Sequence, residues 1–233
     1  SSLINQIYQD RNGFIWIATE DGLNRYDGAK FTIYKHEPNN EHSLAHNFVR
    51  TVFEDSKGHL LIGTYIGIQM YDPATDNFTP LAKLEDTGET LESNINSFIE
   101  RKNGEIWVSG NVLCKLDIKD HLLTVRKVDI AVTSPGSLFE DKKQNVWMAK
   151  GEEGVYQLTP DNQLTLHLSK DNGYVKSICE DQRGNIYVGS IRKGLFIYDK
   201  ERKTFVPVDL KEKGELPVCF LYSGIPNELY IGT

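Results

Sequence analysis

One position returns six times along the 233 residues, as Trp16, Leu61, Trp107, Trp147, Tyr187 and Tyr230, at separations of 45, 46, 40, 40 and 43 residues. A period of about 40–45 residues, each holding four strand-like segments, is the signature of a β-propeller. Leucine-rich repeats are shorter, and helical repeats alternate every 3.6 residues. Here apolar residues alternate every second position and are rich in Ile, Val, Tyr, Trp and Phe, the residues that favour strands.

One phrase recurs: an alternating segment, typically an Asp-x-x-Gly turn, a second segment ending next to a small residue, usually a Gly, and a third segment that mostly ends in Asp. The second and third segments read Phe14–Thr19 with Gly22–Asp27, Leu60–Thr64 with Gly67–Asp72, and Ile106–Gly110 with Val112–Asp117. They continue as Val146–Lys150 with Gly154–Thr159, and Ile186–Ser190 with Gly194–Asp199; a sixth copy begins at Val218. The turn Asp bonds back to amides and the Gly takes positive φ, which makes a tight hairpin. Gln144 replaces that Gly in the fourth copy, so a distorted turn is expected there. Ala18, Gly63, Ser109, Ala149 and Gly189 mark places where neighbouring blades crowd. The fourth strands, Lys30–Tyr34, Asn77–Leu81, Leu122–Arg126, Gln163–His167 and Thr204–Val208, are weaker and belong at an outer edge.

The expected fold is all-β: one propeller of five complete four-stranded blades plus a partial sixth. The blades run at about 3–46, 47–93, 94–134, 135–173, 174–216 and 217–233. The sixth copy stops after its second strand, which suggests a piece of a seven-bladed ring of roughly 290 residues.

Composition excludes several classes. Net charge is −7, which argues against nucleic-acid binding. No apolar run approaches the roughly 20 residues of a membrane span. Cys114, Cys179 and Cys219 have no C-x-x-C spacing and read as small buried hydrophobes. G-x-S-x-G, P-loop and H-E-x-x-H motifs are absent.

The stretch Gln9-Asp10-Arg11-Asn12-Gly13-Phe14-Ile15-Trp16-Ile17-Ala18-Thr19-Glu20-Asp21-Gly22-Leu23-Asn24-Arg25-Tyr26-Asp27-Gly28 closely resembles the two-component regulator propeller repeat, and the resemblance extends over nearly the whole chain. It implies the periplasmic sensor region of a hybrid two-component protein of a glycan-degrading bacterium. In such proteins two seven-bladed propellers precede an immunoglobulin-like domain, a membrane helix, a histidine kinase and a response regulator. The implied role is detection of an oligosaccharide or other small ligand. Implied partners are the rest of the same polypeptide and a second copy in a homodimer. The repeat consensus is structural and transfers no ligand residues.

Binding residues are therefore sought in the loops before each first strand and between second and third strands, which share one face. Sugar binding needs polar groups for hydroxyls and an aromatic plate. Tyr65, Asn111, Lys150, Arg192 and Lys193 have those types and are the candidate ligand residues. Ordinary solvated loops are the competing reading. Asp10, Asp55, Asp141 and Asp181 recur at one turn position, and Asp27, Asp72, Asp117 and Asp199 at another. Such recurrence indicates turn chemistry, so no catalytic residue is assigned, and Trp16, Trp107 and Trp147 are assigned to the inter-blade core. His36, His42 and His46 share the connection 35–47. His42 and His46 are four apart, but no helix is indicated to bring them together, and neither metal nor cofactor is assigned. That connection and the acidic segment 83–93 are candidate partner contacts. A propeller lyase or hydrolase and a protein-interaction scaffold are the alternative functions.

Overall fold

The computed structural model describes residues 3–168, 173–210, 217–222 and 228–233, and its described residues contain strands, turns and loops but no helix. They fall into two compact units, 1–133 and 134–233.

In the first unit, β1 (Ile4–Gln9), β2 (Ile15–Thr19), β3 (Gly22–Tyr26) and β4 (Phe31–Tyr34) form an antiparallel meander. β5 (Val49–Glu54), β6 (Leu60–Thr64), β7 (Ile68–Asp72) and β8 (Asn77–Phe78) form a second. β9 (Lys83–Leu84) leaves the second blade and pairs in parallel with the outer strand of the third, which comprises β10 (Ser97–Glu100), β11 (Ile106–Ser109), β12 (Leu113–Lys119) and β13 (Leu122–Lys127). In the second unit, β14 (Leu138–Glu140), β15 (Val146–Lys150), β16 (Gly154–Leu158) and β17 (Leu164–Leu168) make one blade. β18 (Val175–Glu180), β19 (Ile186–Ser190), β20 (Gly194–Asp199) and β21 (Thr204–Pro207) make the next, and β22 (Phe220–Tyr222) pairs with β23 (Tyr230–Gly232). These are propeller blades, with the fourth strand outermost. In the second blade that strand shrinks to two residues, because Thr79 Oγ1 and the Gln69 side chain take over main-chain partners beyond it.

The recurring aromatic position explains blade stacking. Trp16 is fully buried, 4.9 Å from the Tyr71 ring of the next blade and 5.9 Å from Tyr34 of its own. Trp147 repeats this with Tyr198 of the next blade at 5.1 Å and His167 of its own at 5.3 Å. Burying a Trp removes roughly 150–250 Å² from water, worth at most about 4–6 kcal/mol at ~25 cal/mol per Å².

A second recurring contact was not read from the sequence. The Glu before the turn residue in one blade accepts a bond from the turn of the blade before it. Arg11 N donates to Glu54 at 2.8 Å, Ser56 N to Glu100 at 2.7 Å, and Lys142 N to Glu180 at 3.0 Å.

The turn at Gln144 is not distorted. Gln144 adopts φ 66° and its N–H donates to Asp141 O at 2.9 Å, as Gly13 N donates to Asp10 O at 3.0 Å. The residue accepts a left-handed conformation in place of a changed turn. The crowding expected at the small residues is present: a Cβ on Gly63 would lie 2.6 Å from Ile95 Cγ2, and one on Gly189 2.6 Å from Val218 Cγ1. Cys114 and Cys179 are buried, and Cys219 is only half-buried. Among the described residues no helix is long and apolar enough to cross a membrane.

Two stability measurements follow. Gln144→Gly relieves a left-handed non-Gly residue and is expected to raise unfolding stability by about 0.5–1 kcal/mol, read from the urea midpoint. Gly63→Ala, which overpacks the interface of the second and third blades, is expected to lower it by about 1–3 kcal/mol in the same assay.

Candidate functional site

The repeated carboxylates do structural work. Asp10 Oδ1 accepts the N–H groups of Asn12 and Phe14, and Oδ2 accepts Trp16 Nε1 at 2.8 Å. Asp141 does the same for Lys143, Asn145 and Trp147, the last also at 2.8 Å. One carboxylate thus closes the turn and fixes the indole that the next blade covers. In the third blade Arg101 occupies the Asp position and the carboxylate comes from Glu105. Glu105 accepts Trp107 Nε1 at 3.1 Å and Lys115 Nζ at 2.6 Å, while the Arg101 guanidinium lies 4.5 Å from the Trp107 ring. The Lys115 hydrogen bond outweighs burial and holds Glu105 at about 2, below its ordinary 4.5.

The three loop histidines are engaged by main chain. Nδ1 lies 2.9 Å from Leu44 O in His36 and 3.2 Å from Phe78 O in His42, and Phe48 N donates to His46 Nδ1 at 2.9 Å. These bonds organise the connection around the buried Leu44. Among the described residues no group of three or more His, Cys, Asp or Glu side chains could hold a metal.

Tyr65 and Asn111 come together in the first unit. They line an open cleft of about 650 Å³ with Ile66, Glu92, Ser93 and Asn94. Tyr65 and Ile66 form the turn between β6 and β7. Ser93 and Asn94 precede β10, and Asn111 lies between β11 and β12. Close main-chain contacts hold these three segments. Ser93 N donates to Ile66 O at 3.3 Å, Ile95 N to Thr64 O at 3.0 Å, and Asn111 N to the buried Ser93 Oγ at 2.9 Å. Gly110 permits this approach, since a Cβ there would lie 2.7 Å from Asn94 O. The Tyr65 ring is 54% exposed yet steadied by His46 at 5.6 Å and Phe48 at 6.0 Å. Asn94 Oδ1 is buried with no hydrogen-bond partner among the described residues. An unsatisfied acceptor of this kind costs about 1–3 kcal/mol and calls for an explanation.

The other candidates lie in the second unit. Lys150 Nζ is 2.8 Å from Glu153 Oε2, Arg192 Nη1 is 3.0 Å from Glu152 Oε1, and Lys193 N donates to Ser190 Oγ at 3.2 Å. Two of these cations thus already have carboxylates. The segment 83–93 folds as β9 and a return bridged to it at Thr90, and supplies Thr90, Glu92 and Ser93 to the cleft. A more apolar groove of about 670 Å³ lies beside it, with Pro80, Leu81, Leu122 and Leu123 in its wall.

Sequence reading missed Asn94, although the run before a first strand belongs to the loop class assigned to this face. Its signal was available in Asn94-Ile95-Asn96, a polar pair flanking one buried Ile.

Comparisons with known proteins agree with the repeat. Residues 1–21, 43–65 and 169–192 match the family described as two component regulator propeller. Histidine kinase P4 of Formosa agariphila is 44% identical over 45 residues, 19% of this chain and 3% of that protein. The extracellular domain of a putative one component system from B. thetaiotaomicron superposes with TM-score 0.77 at 19% identity, over 100% of this chain and 33% of that one. Catalytically inactive virginiamycin B lyase from Staphylococcus aureus, solved with quinupristin, superposes with TM-score 0.73 at 13% identity, over 99% of this chain and 77% of that one. The chain therefore spans a small fraction of the kinase and about a third of the extracellular domain.

The Glu105 network generates a pH prediction. A carboxylate whose folded value is depressed stabilises the fold above its ordinary value, and that contribution is lost as pH falls toward the folded one. Stability followed by urea titration should therefore decline less in Glu105→Gln than in the parent chain between pH 4.5 and about 2. Equal declines would remove Glu105 from the account. The turn chemistry, the covered aromatics and the three matched segments converge: residues 1–21, 43–65 and 169–192 resemble two component regulator propeller repeats, on an all-β propeller scaffold.

Proposed function

We propose that this segment is the extracytoplasmic, periplasmic sensor region of a hybrid two-component signalling protein, binding an oligosaccharide and signalling to a histidine kinase in the same polypeptide. The observation that carries the ligand reading is the cleft of the first unit, where Asn94, whose Oδ1 is buried and unpartnered among the described residues, lines the same cleft as the exposed Tyr65 ring. A sugar presents hydroxyl donors at its rim and C–H groups on its face. Asn94 Oδ1 accepts one hydroxyl once its side chain turns toward the cleft, and the Tyr65 ring receives the face. Glu92 and Asn111 extend the polar rim. The repeat match and the kinase relative support the signalling context. No catalytic role is needed for the repeated carboxylates, whose oxygens serve turns and indoles.

Calorimetry of the chain against defined oligosaccharides tests this reading. Tyr65→Ala is expected to weaken binding about tenfold, the loss of one ring contact of roughly 1–1.5 kcal/mol. A chain that binds no sugar, yet binds another ligand class through Tyr65, would remove the carbohydrate assignment. Turnover of the bound sugar would favour the lyase or hydrolase reading.

A further inference from the structure

Arg50 differs from six other arginines of the chain. Arg11, Arg25, Arg101, Arg126, Arg192 and Arg202 each have a carboxylate oxygen between 2.6 and 3.9 Å away. Arg50 has none among the described residues. Its Nη1 donates to the neutral Asn96 Oδ1 at 3.0 Å, and its guanidinium lies 5.6 Å from the Phe48 ring. It is half-buried. The chain as a whole carries −7, so an unneutralised cation here is a local feature and not part of a basic surface.

Position explains how Arg50 comes to be there. The pairing of β5 with β6 skips it: Val49 faces Thr64 and Thr51 faces Gly63. A bulge of this kind re-aims one side chain away from the regular alternation of the sheet. Phe48 touches both Arg50 and the cleft residue Tyr65: its ring is 5.6 Å from the guanidinium and 6.0 Å from the Tyr65 ring, and its carbonyl accepts Tyr65 N at 3.0 Å. Asn96, which holds the guanidinium, is two residues from Asn94.

A guanidinium presents five N–H donors in a planar fork that fits the paired oxygens of a carboxylate or sulfate. We propose that Arg50 makes the cleft a subsite for an acidic sugar, whose carboxylate or sulfate pairs with the guanidinium while the ring rests on Tyr65. This rests on the sugar-binding reading above and adds the charge class of the ligand.

The test is calorimetry of the full chain with three probe sets of equal length: neutral oligosaccharides, oligouronates and sulfated oligosaccharides. Arg50→Gln is expected to weaken the acidic probes by about 10- to 100-fold, the range of a charge-assisted bond, and to leave neutral probes unchanged. Asn96→Asp keeps Arg50 and places a carboxylate on it, and should weaken acidic probes in the same way without a fall in melting temperature. The oligouronate and sulfated arms identify which anion is preferred. Neutral and acidic probes binding alike, with neither variant altering either, would overturn the acidic-sugar subsite and leave the sugar cleft standing. Binding of none of the three sets would overturn both.

Discussion

A four-stranded twisted sheet has two apolar faces and cannot bury either alone, so Trp16 and Trp147 depend on the next blade of their own unit for cover. Trp16 under Tyr71, and Trp147 under Tyr198, are two instances of one contact. The turn carboxylate matters because an indole N–H buried without a partner would cost about as much as a lost hydrogen bond. Asp10 and Asp141 remove that cost while closing the hairpin that brings the indole into place. The third blade shows that the requirement is for a carboxylate and not for a particular position, since Glu105 serves Trp107 from two residues away.

The same scaffold decides where function can reside. Blade turns at the Asp-x-x-Gly end are consumed by their own hydrogen bonds and by the Glu that reaches across from the next blade. The opposite loops repeat main-chain bonds of their own, Glu20 N to Leu3 O, Tyr65 N to Phe48 O and Ile191 N to Tyr174 O, which any side chain can satisfy. There the chain is at liberty to vary, and Tyr65, Asn94 and Asn111 meet on segments held in place by main-chain bonds between the second and third blades.

The blades were legible because burial imposes a period of two within strands and of forty-odd residues between them. Turn chemistry was legible in the Asp residues but misled at Gln144, where surrounding hairpin geometry imposed a left-handed conformation on a residue that lacks glycine's freedom. β9 escaped notice because its pairing is parallel and to another blade, so neither hairpin spacing nor local alternation announces it. Of the loop candidates, Tyr65 and Asn111 share a cleft, whereas Lys150 and Arg192 are ion-paired in the other unit. Which loops converge is a property of sheet stacking, and a single sequence without contacts does not encode it visibly. Arg50 was passed over for the same reason: it sits within a strand, and only the skipped pairing turns it aside.

The central claim is that ligand binds on the loop face of the first unit. Amide chemical-shift mapping of the isotope-labelled chain during titration with a binding oligosaccharide tests it directly. The account predicts that the perturbed amides centre on Ile66, Asn94 and Asn111. Perturbations confined to the turns at Asp10–Gly13 and Asp55–Gly58 would place the ligand at the opposite end and contradict it.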